Sequence, residues 1–381
     1  RTIAVSIAIK VVGYLLMATQ REFWPFTIGC LVLALGTAIF KPGLQGSMLQ
    51  QLDKRNSSIG WGAFYMLVNI GGFLGPPLAH FLYGVSWPAV FYGCAVIVSL
   101  NFAMLLTYPS IAAGGVQSGG VLRVARTTLR NLARPRLALF ILIMSGFWLM
   151  FNQLFDMLPN FIVDWVDSSA IVRALHLPAM FTTETPRGTM IAQEWMINAN
   201  SFLIIVCVVW ISHLVARMRR VHSIVAGIAV SSIGLMLAGF TMSGTACVVA
   251  ILLFSVGEML ASPKMLDYLG VIAPEGQKAL YMGYANMPQA IGWAYGSFLG
   301  GRVYDTMGDK ANLALRYLQE HGGLDVGVDR TIAMATLQRA LHLDAGAATR
   351  LLWSTYDPWR LWLPFAAIGI ASAIGIAVYA R

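Results

Sequence analysis

Charge is what this chain has least of. Of its 381 residues only 11% are charged, against 57% hydrophobic, and the mean hydropathy is +0.68. So little polar surface cannot enclose a core of this size in water. A soluble globular fold is therefore excluded, and lipid is the expected outer solvent. Catalytic signatures are also missing: the sequence holds no Walker A loop, no H-E-x-x-H, no G-x-S-x-G and no dinucleotide fingerprint. Their absence argues against an ATP-driven pump or an enzyme within this chain, and neither a catalytic residue nor a cofactor is expected. Cys30, Cys94, Cys207 and Cys247 all lie in apolar stretches without metal-ligand spacing, so they read as packing residues, with no metal site and no disulfide implied. Initiator Met and signal peptide are lacking too. Arg1-Thr2 runs straight into an apolar segment, and the expectation is a chain cut inside a loop with earlier sequence missing. Acids are scarcer than bases, for a net charge of +9. In a membrane chain that excess belongs to cytoplasmic loops and implies no nucleic-acid partner.

What is present is a series of apolar runs, each long enough for the roughly 20 residues that a hydrocarbon core requires. Ten are expected to span: about 3–19, 25–50, 58–83, 87–107, 137–165, 190–217, 221–241, 245–273, 279–303 and 360–380. Alternate loops carry Lys54 and Arg55; Arg123, Arg126, Arg130, Arg134 and Arg136; Arg217, Arg219 and Arg220; and Lys278. The intervening short loops hold only Arg21, Arg173 and Arg187. This bias places both chain ends in the cytoplasm. Residues 109–136 read as a basic cytoplasmic linker between an incomplete first bundle of four spans (1–108) and a second bundle of six (137–381). If two spans precede Arg1, each half has six. Residues 304–359 form an extracytoplasmic segment whose Leu spacing suggests short amphipathic helices.

The halves resemble each other. Gly36 stands six residues before Pro42, and Gly257 six before Pro263. Each proline is followed, after a charged loop, by a similar opening: Tyr65-Met66 with Asn69, and Tyr281-Met282 with Asn286. Glycines then recur every fourth residue, Gly71 and Gly75 in one helix and Gly292, Gly296 and Gly300 in the other, a spacing that lets helices approach closely. The common order favours duplicated halves, the symmetry expected of transporters.

Ionisable groups in a bilayer cost about 2.5–3.5 kcal/mol on insertion scales, so each marks a candidate site. Lys41 lies roughly 24 Å into its span and Glu258 roughly 20 Å into the pseudo-equivalent one, at 1.5 Å per residue. Either they pair with each other or with buried carbonyls, or, at one depth on opposite halves, they bind the two ends of a zwitterion. Trp148, Asn152 and Asp156 share one helix face beside Gln153, and a polar stripe must line a cavity or another helix. Asn200 is a weaker candidate of the same kind.

Here a family resemblance becomes specific. Gly36-Thr37-Ala38-Ile39-Phe40-Lys41-Pro42 resembles the G-T-G-x-x-K-P motif of the proton-coupled oligopeptide transporters, the POT or PTR family. Phe64-Tyr65-Met66-Leu67-Val68-Asn69-Ile70-Gly71 is similar to its F-Y-x-x-I-N-x-G signature, and Phe147-Trp148 with Asn152-Gln153 to its W-x-x-x-E-Q. Asn200 fits the Asn of its eighth helix. Gly257-Glu258 with Ser262-Pro263 and Ala273-Pro274 resembles G-E-x-x-x-S-P…A-P. The resemblance implies an all-α membrane protein of the twelve-helix major facilitator fold that couples proton entry to uptake of di- and tripeptides, with no metal. By the family pattern Lys41 serves the peptide carboxylate and Glu258 its amino group. Trp148 and Trp293 line the cavity, while Asn69 and Asn200 contact the peptide backbone; Tyr65, Asn152 and Gln153 complete the expected substrate site. Asn152 stands where the family has an acid, so Asp156, one turn on, is expected to carry the proton, with Glu258 as the other coupling candidate. The expected partners are a small peptide or peptide-like substrate, protons and the lipid bilayer.

Overall fold

The computed structural model describes residues 2–52, 56–107, 121–275, 277–321 and 329–380. Lys54, Arg55 and residues 109–120 of the expected linker lie outside them. The chain is an all-α membrane protein. Its helices are α1 Thr2–Thr19, α2 Phe23–Gln51, α3 Ser57–Val85, α4 Trp87–Thr107, α5 Val121–Leu132, α6 Pro135–Phe151, α7 Gln153–Asp156, α8 Leu158–Trp165 and α9 Ser169–Leu175. After a hairpin of β1 Thr182–Thr185 and β2 Gly188–Ile191 come α10 Gln193–Leu214, α11 Arg220–Gly239, α12 Gly244–Ile272, α13 Lys278–Met307, α14 Lys310–His321, α15 Ala333–Leu341, α16 Ala345–Tyr356 and α17 Leu363–Tyr379. Among the described residues nine helical stretches are long and apolar enough to cross a membrane. The tenth expected span is α13, a single 30-residue helix. It is more polar than the others because it carries Asn286, Gln289, Arg302 and Asp305. The expected span 137–165 is divided into α6, α7 and α8 by turns at Asn152 and Met157, with Pro159 at the start of the last piece.

The chain forms two compact units, residues 1–139 with 263–287, and residues 140–262 with 288–381. In the first, α1 packs against α2 and α4. Glycine permits the close approach, since a methyl at Gly13 would lie 2.7 Å from Leu33 N and one at Gly36 2.9 Å from Lys10 N. The Lys10 ammonium sits 4.3 Å from the centre of the Phe40 ring, a cation–π contact that holds this intramembrane charge on the apolar helix next to Lys41. Residues 263–287 are tied into this unit by hydrogen bonds. The Ser57 hydroxyl donates to Asp267 Oδ1 (2.5 Å), and Asn131 Nδ2 donates to Gln277 Oε1 (2.9 Å) and the Tyr284 hydroxyl (3.3 Å). Gly71 and Gly75 behave differently from the close approach their spacing suggests: nothing lies within 4 Å of a methyl added at either. They share α3 with the exposed Leu67, Val68 and Leu74, so among the described residues no helix packs against this face.

In the second unit the glycine spacing does mark contact. A methyl at Gly292 would meet Ser145 O at 2.5 Å and Leu149 N at 2.7 Å, and one at Gly296 would meet Leu149 O at 3.0 Å. The residues of α13 after Pro288 therefore lie directly on α6. Gly227 and Gly234 seat α12 on α11 in the same way, with Gly257 O and Phe254 N as the nearest main-chain neighbours. The expected short helices of 304–359 form as α14, α15 and α16. They bury Leu313, Leu318, Leu337 and Leu352 in a satellite core, each such side chain contributing about 1.5–3 kcal/mol. Asp344 caps α16 by accepting from Ala347 N (2.6 Å). The β hairpin, with Thr182 paired to Ile191 and Thr185 to Gly188, is an element the sequence reading did not anticipate.

Candidate substrate-binding site

Five side chains of the expected site are buried within the second unit. Glu258 on α12 is 3% exposed and Asn200 on α10 is 1% exposed. The Asn200 amide donates from Nδ2 to Glu258 Oε2 (2.8 Å) and to the Ser255 hydroxyl (2.9 Å), which itself donates to Ile251 O (2.8 Å). Ser255 stands one turn before Glu258 and completes a small polar cluster that the sequence motifs had not singled out. The glycine contacts of α11 hold α12 in place, so the carboxylate is carried on a fixed segment.

Trp148 near the end of α6 and Asn152 in the turn that follows it are four residues apart and both are buried. Among the described residues Trp148 Nε1 and Asn152 Nδ2 have no hydrogen-bond partner, and neither has Gln153 Oε1, although Gln153 Nε2 donates to Leu149 O (2.9 Å). Buried donors without acceptors are uncommon in native structures and call for an explanation. An aromatic run connects them to the carboxylate cluster: Trp148 to Phe151 at 4.8 Å and Phe151 to Phe254 at 5.1 Å between ring centres, with Glu258 one turn beyond Phe254.

Asp156 makes a separate, half-buried cluster. Its two oxygens accept from Trp293 Nε1 (3.1 and 2.9 Å), and Oδ2 also accepts from the Ser297 hydroxyl (2.5 Å). Trp293 and Ser297 are one turn apart on α13, and the glycine contacts with α6 bring them to Asp156. Trp293 is thus brought to the acid, not to Trp148.

Lys41, Tyr65 and Asn69 belong to the first unit. Lys41 is half-buried on α2, immediately before Pro42. Asn69 Nδ2 donates to Tyr65 O (3.0 Å), and in the same unit Asn286 Nδ2 donates to Met282 O (2.9 Å). The two asparagines matched by the internal repeat therefore make the same local bond, each to the carbonyl four residues back. Among the described residues no group of three His, Cys, Asp or Glu side chains is placed to hold a metal ion.

The family model described as Major Facilitator Superfamily matches residues 1–297. The chain belongs to the major facilitator superfamily. It is a multi-pass integral membrane transporter. Its curated relatives include the multidrug resistance protein MdtH of Enterobacter sp. (strain 638), 22% identical over 306 residues, which are 80% of this chain and 70% of the relative. MdtH of Shigella flexneri serotype 5b (strain 8401) is 22% identical over 315 residues, with the same coverage of 80% and 70%. Among solved structures, a POT family transporter in complex with a thioalcohol conjugated peptide superposes with a TM-score of 0.62 at 12% identity, over 100% of this chain and 81% of its own. The human organic anion transporter MFSD10 (TETRAN) gives 0.58 at 14% identity, over 94% and 76%. At such identities the structural likeness concerns the fold alone.

Proposed function

We propose that this major facilitator is a proton-coupled symporter of di- and tripeptides in the cytoplasmic (inner) membrane, with both chain ends cytoplasmic. The observation that carries the reading is the buried Asn200–Glu258 pair, joined through Phe254 and Phe151 to the unpartnered donors of Trp148 and Asn152. In the low dielectric of a membrane bundle a carboxylate attracts a cation more strongly than in water, and a substrate ammonium is such a cation. Trp148 Nε1 and Asn152 Nδ2 are suited to peptide carbonyl oxygens, and Gln153 Oε1 to a peptide N–H. Lys41 then takes the substrate carboxylate, with Tyr65 and Asn69 beside it on the first half. Asp156 carries the proton: bonds that a carboxylate accepts weaken when it is protonated, so proton loading loosens Trp293 and Ser297 on α13. The POT-like motifs at Lys41, Asn69 and Glu258 support the same reading, as does the likeness in fold to a POT family transporter with bound peptide.

A second reading, outward transport of drug-like cations, is favoured by the MdtH relatives, which share more sequence with this chain than the peptide-bound neighbour does. One experiment separates them. The protein is reconstituted in liposomes, an inward proton gradient is imposed, and uptake of labelled dialanine is followed. Accumulation with proton entry supports peptide symport. Binding without flux indicates a sensor that kept the fold, and gradient-driven ethidium export without dialanine uptake establishes the second reading.

A further inference from the structure

A second cavity, of about 520 Å³, lies in the second unit among α8, the β hairpin, the start of α14 and helices α15 and α16. None of the side chains assigned above lines it. Its charge comes from three acids, Asp164, Glu184 and Glu194, and from two bases far apart in sequence, Arg187 and Lys310. The hairpin turn delivers Arg187: Gly188 adopts φ +112°, open to glycine, and the Thr185 hydroxyl accepts from Arg187 N (3.2 Å) while donating to Gly188 O (2.8 Å). Arg187 Nη2 then donates to Val163 O and Lys310 Nζ to Asp164 O, each at 2.6 Å. These are consecutive carbonyls in the last turn of α8, which lack helical partners of their own.

Capping a helix end accounts for one donor of each cation, whereas arginine has five and lysine three. Neither has a carboxylate within ion-pair distance among the described residues. The Asp164 carboxylate is itself occupied, accepting from the Tyr304 hydroxyl (2.6 Å) and from Lys310 N (3.4 Å). The other lining acids are also engaged: Glu184 accepts from Thr189 (2.8 Å) and Glu194 from Gln193 (3.3 Å). Two like charges are thus held at one helix end, with the Asp164 carboxylate acting on both and Asp167 on Arg187. Burial and the neighbouring Arg187 charge push the Lys310 ammonium down to about 8. A simple cap gains nothing from that repulsion, while an anion placed between the two heads relieves it. The remaining wall is largely apolar, with Met190 from the hairpin and Met334 from α15.

We propose that this cavity binds an amphipathic organic monocarboxylate, its carboxylate between Arg187 and Lys310 and its apolar body against Met190 and Met334. The test is calorimetric titration of the full chain in lipid nanodiscs with hexanoate, and with hexanol as the uncharged counterpart. Saturable hexanoate binding is expected, at least tenfold tighter than hexanol and at least tenfold weaker in Arg187→Gln and Lys310→Gln. Because those variants also remove caps from α8, Met334→Trp provides a second probe. It fills the cavity from α15 without touching α8 and is expected to abolish binding while the melting temperature stays unchanged. Absence of saturable hexanoate binding overturns the proposal, as does equal binding of hexanol. Undiminished binding in correctly folded Arg187→Gln, Lys310→Gln or Met334→Trp protein overturns it as well.

Discussion

Replacing Asn200 by leucine keeps the volume of the side chain and removes its donor. Glu258 then loses a charge-assisted bond and Ser255 a neutral one, both donated by Asn200 Nδ2. A hydrogen bond to a charged group contributes about 1.5–3 kcal/mol and a neutral one about 0.5–1.5 kcal/mol. The combined loss is therefore roughly 2–4 kcal/mol, and burial leaves no water to repair it. Without that donor the carboxylate is held less firmly in the orientation that would receive a substrate ammonium. At 1.4 kcal/mol per decade, dialanine should bind Asn200→Leu about 30- to 1,000-fold more weakly. Ser255→Ala, which touches only the neutral bond, should cost about tenfold or less. The assay is calorimetric titration of dialanine into purified protein, with thermal melting alongside and a double-mutant cycle of Asn200→Leu with Glu258→Gln. A coupling energy under about 0.5 kcal/mol would mean that the two residues act independently. In that case the cluster is not the unit that receives the amine.

Asp156→Asn should abolish gradient-driven dialanine uptake yet preserve counterflow, which needs no net proton movement; a mutant that still concentrates substrate leaves Asp156 a purely structural partner of Trp293 and Ser297. Gly292→Val should destabilise the second unit by about 1–3 kcal/mol, because the atoms it meets are main chain on α6. The matched Gly71→Val should change stability by no more than about 0.5 kcal/mol, as its face is open. Thermal melts of both variants check the contrast, and equal losses would refute it. Lys310 sets a pH dependence outside the membrane spans. Its ammonium is depressed to about 8 in the folded state from the usual 10.5 of a lysine, so the unfolded chain holds more protons between those values and stability should rise with pH across that window. Melts at pH 7.5 and 9.5 should show that rise in the wild type and lose it in Lys310→Met.

The parts of this molecule that the sequence revealed are those with a short period or a high local cost. Apolar runs gave the spans, and the four-residue spacing of Trp148, Asn152 and Asp156 placed them on one face of α6 and α7. Glu258 stood out because an acid in an apolar run is expensive, and its partner Asn200 is the other polar residue that the same argument selects. What escaped is held by long-range contact. Asp164, Arg187 and Lys310 are brought together by a four-residue-stranded hairpin and a helix start, and no periodicity links them. The paired glycines give the sharper lesson. Gly71 and Gly75 repeat the spacing of Gly292 and Gly296, yet only the second pair has a helix against it. Spacing permits a close approach, and the neighbour decides whether it happens.

The two prolines inside α12 and α13 carry a meaning that neither motif nor hydropathy conveys. At Pro263 and Pro288 each helix passes from one compact unit to the other. Proline there cannot bond the carbonyl four residues back, Met259 for one and Tyr284 for the other, and its ring crowds that carbonyl, so the helix bends more easily at these points than elsewhere. Glu258 with Asn200, and Asp156 with Trp293 and Ser297, lie entirely on the second unit's side of the prolines. Beyond them, Asp267 is tied to Ser57, and Gln277 and Tyr284 to Asn131, within the first unit. The Glu258 and Asp156 clusters thus belong to one unit, while Lys41, Tyr65, Asn69 and the segment between the prolines belong to the other.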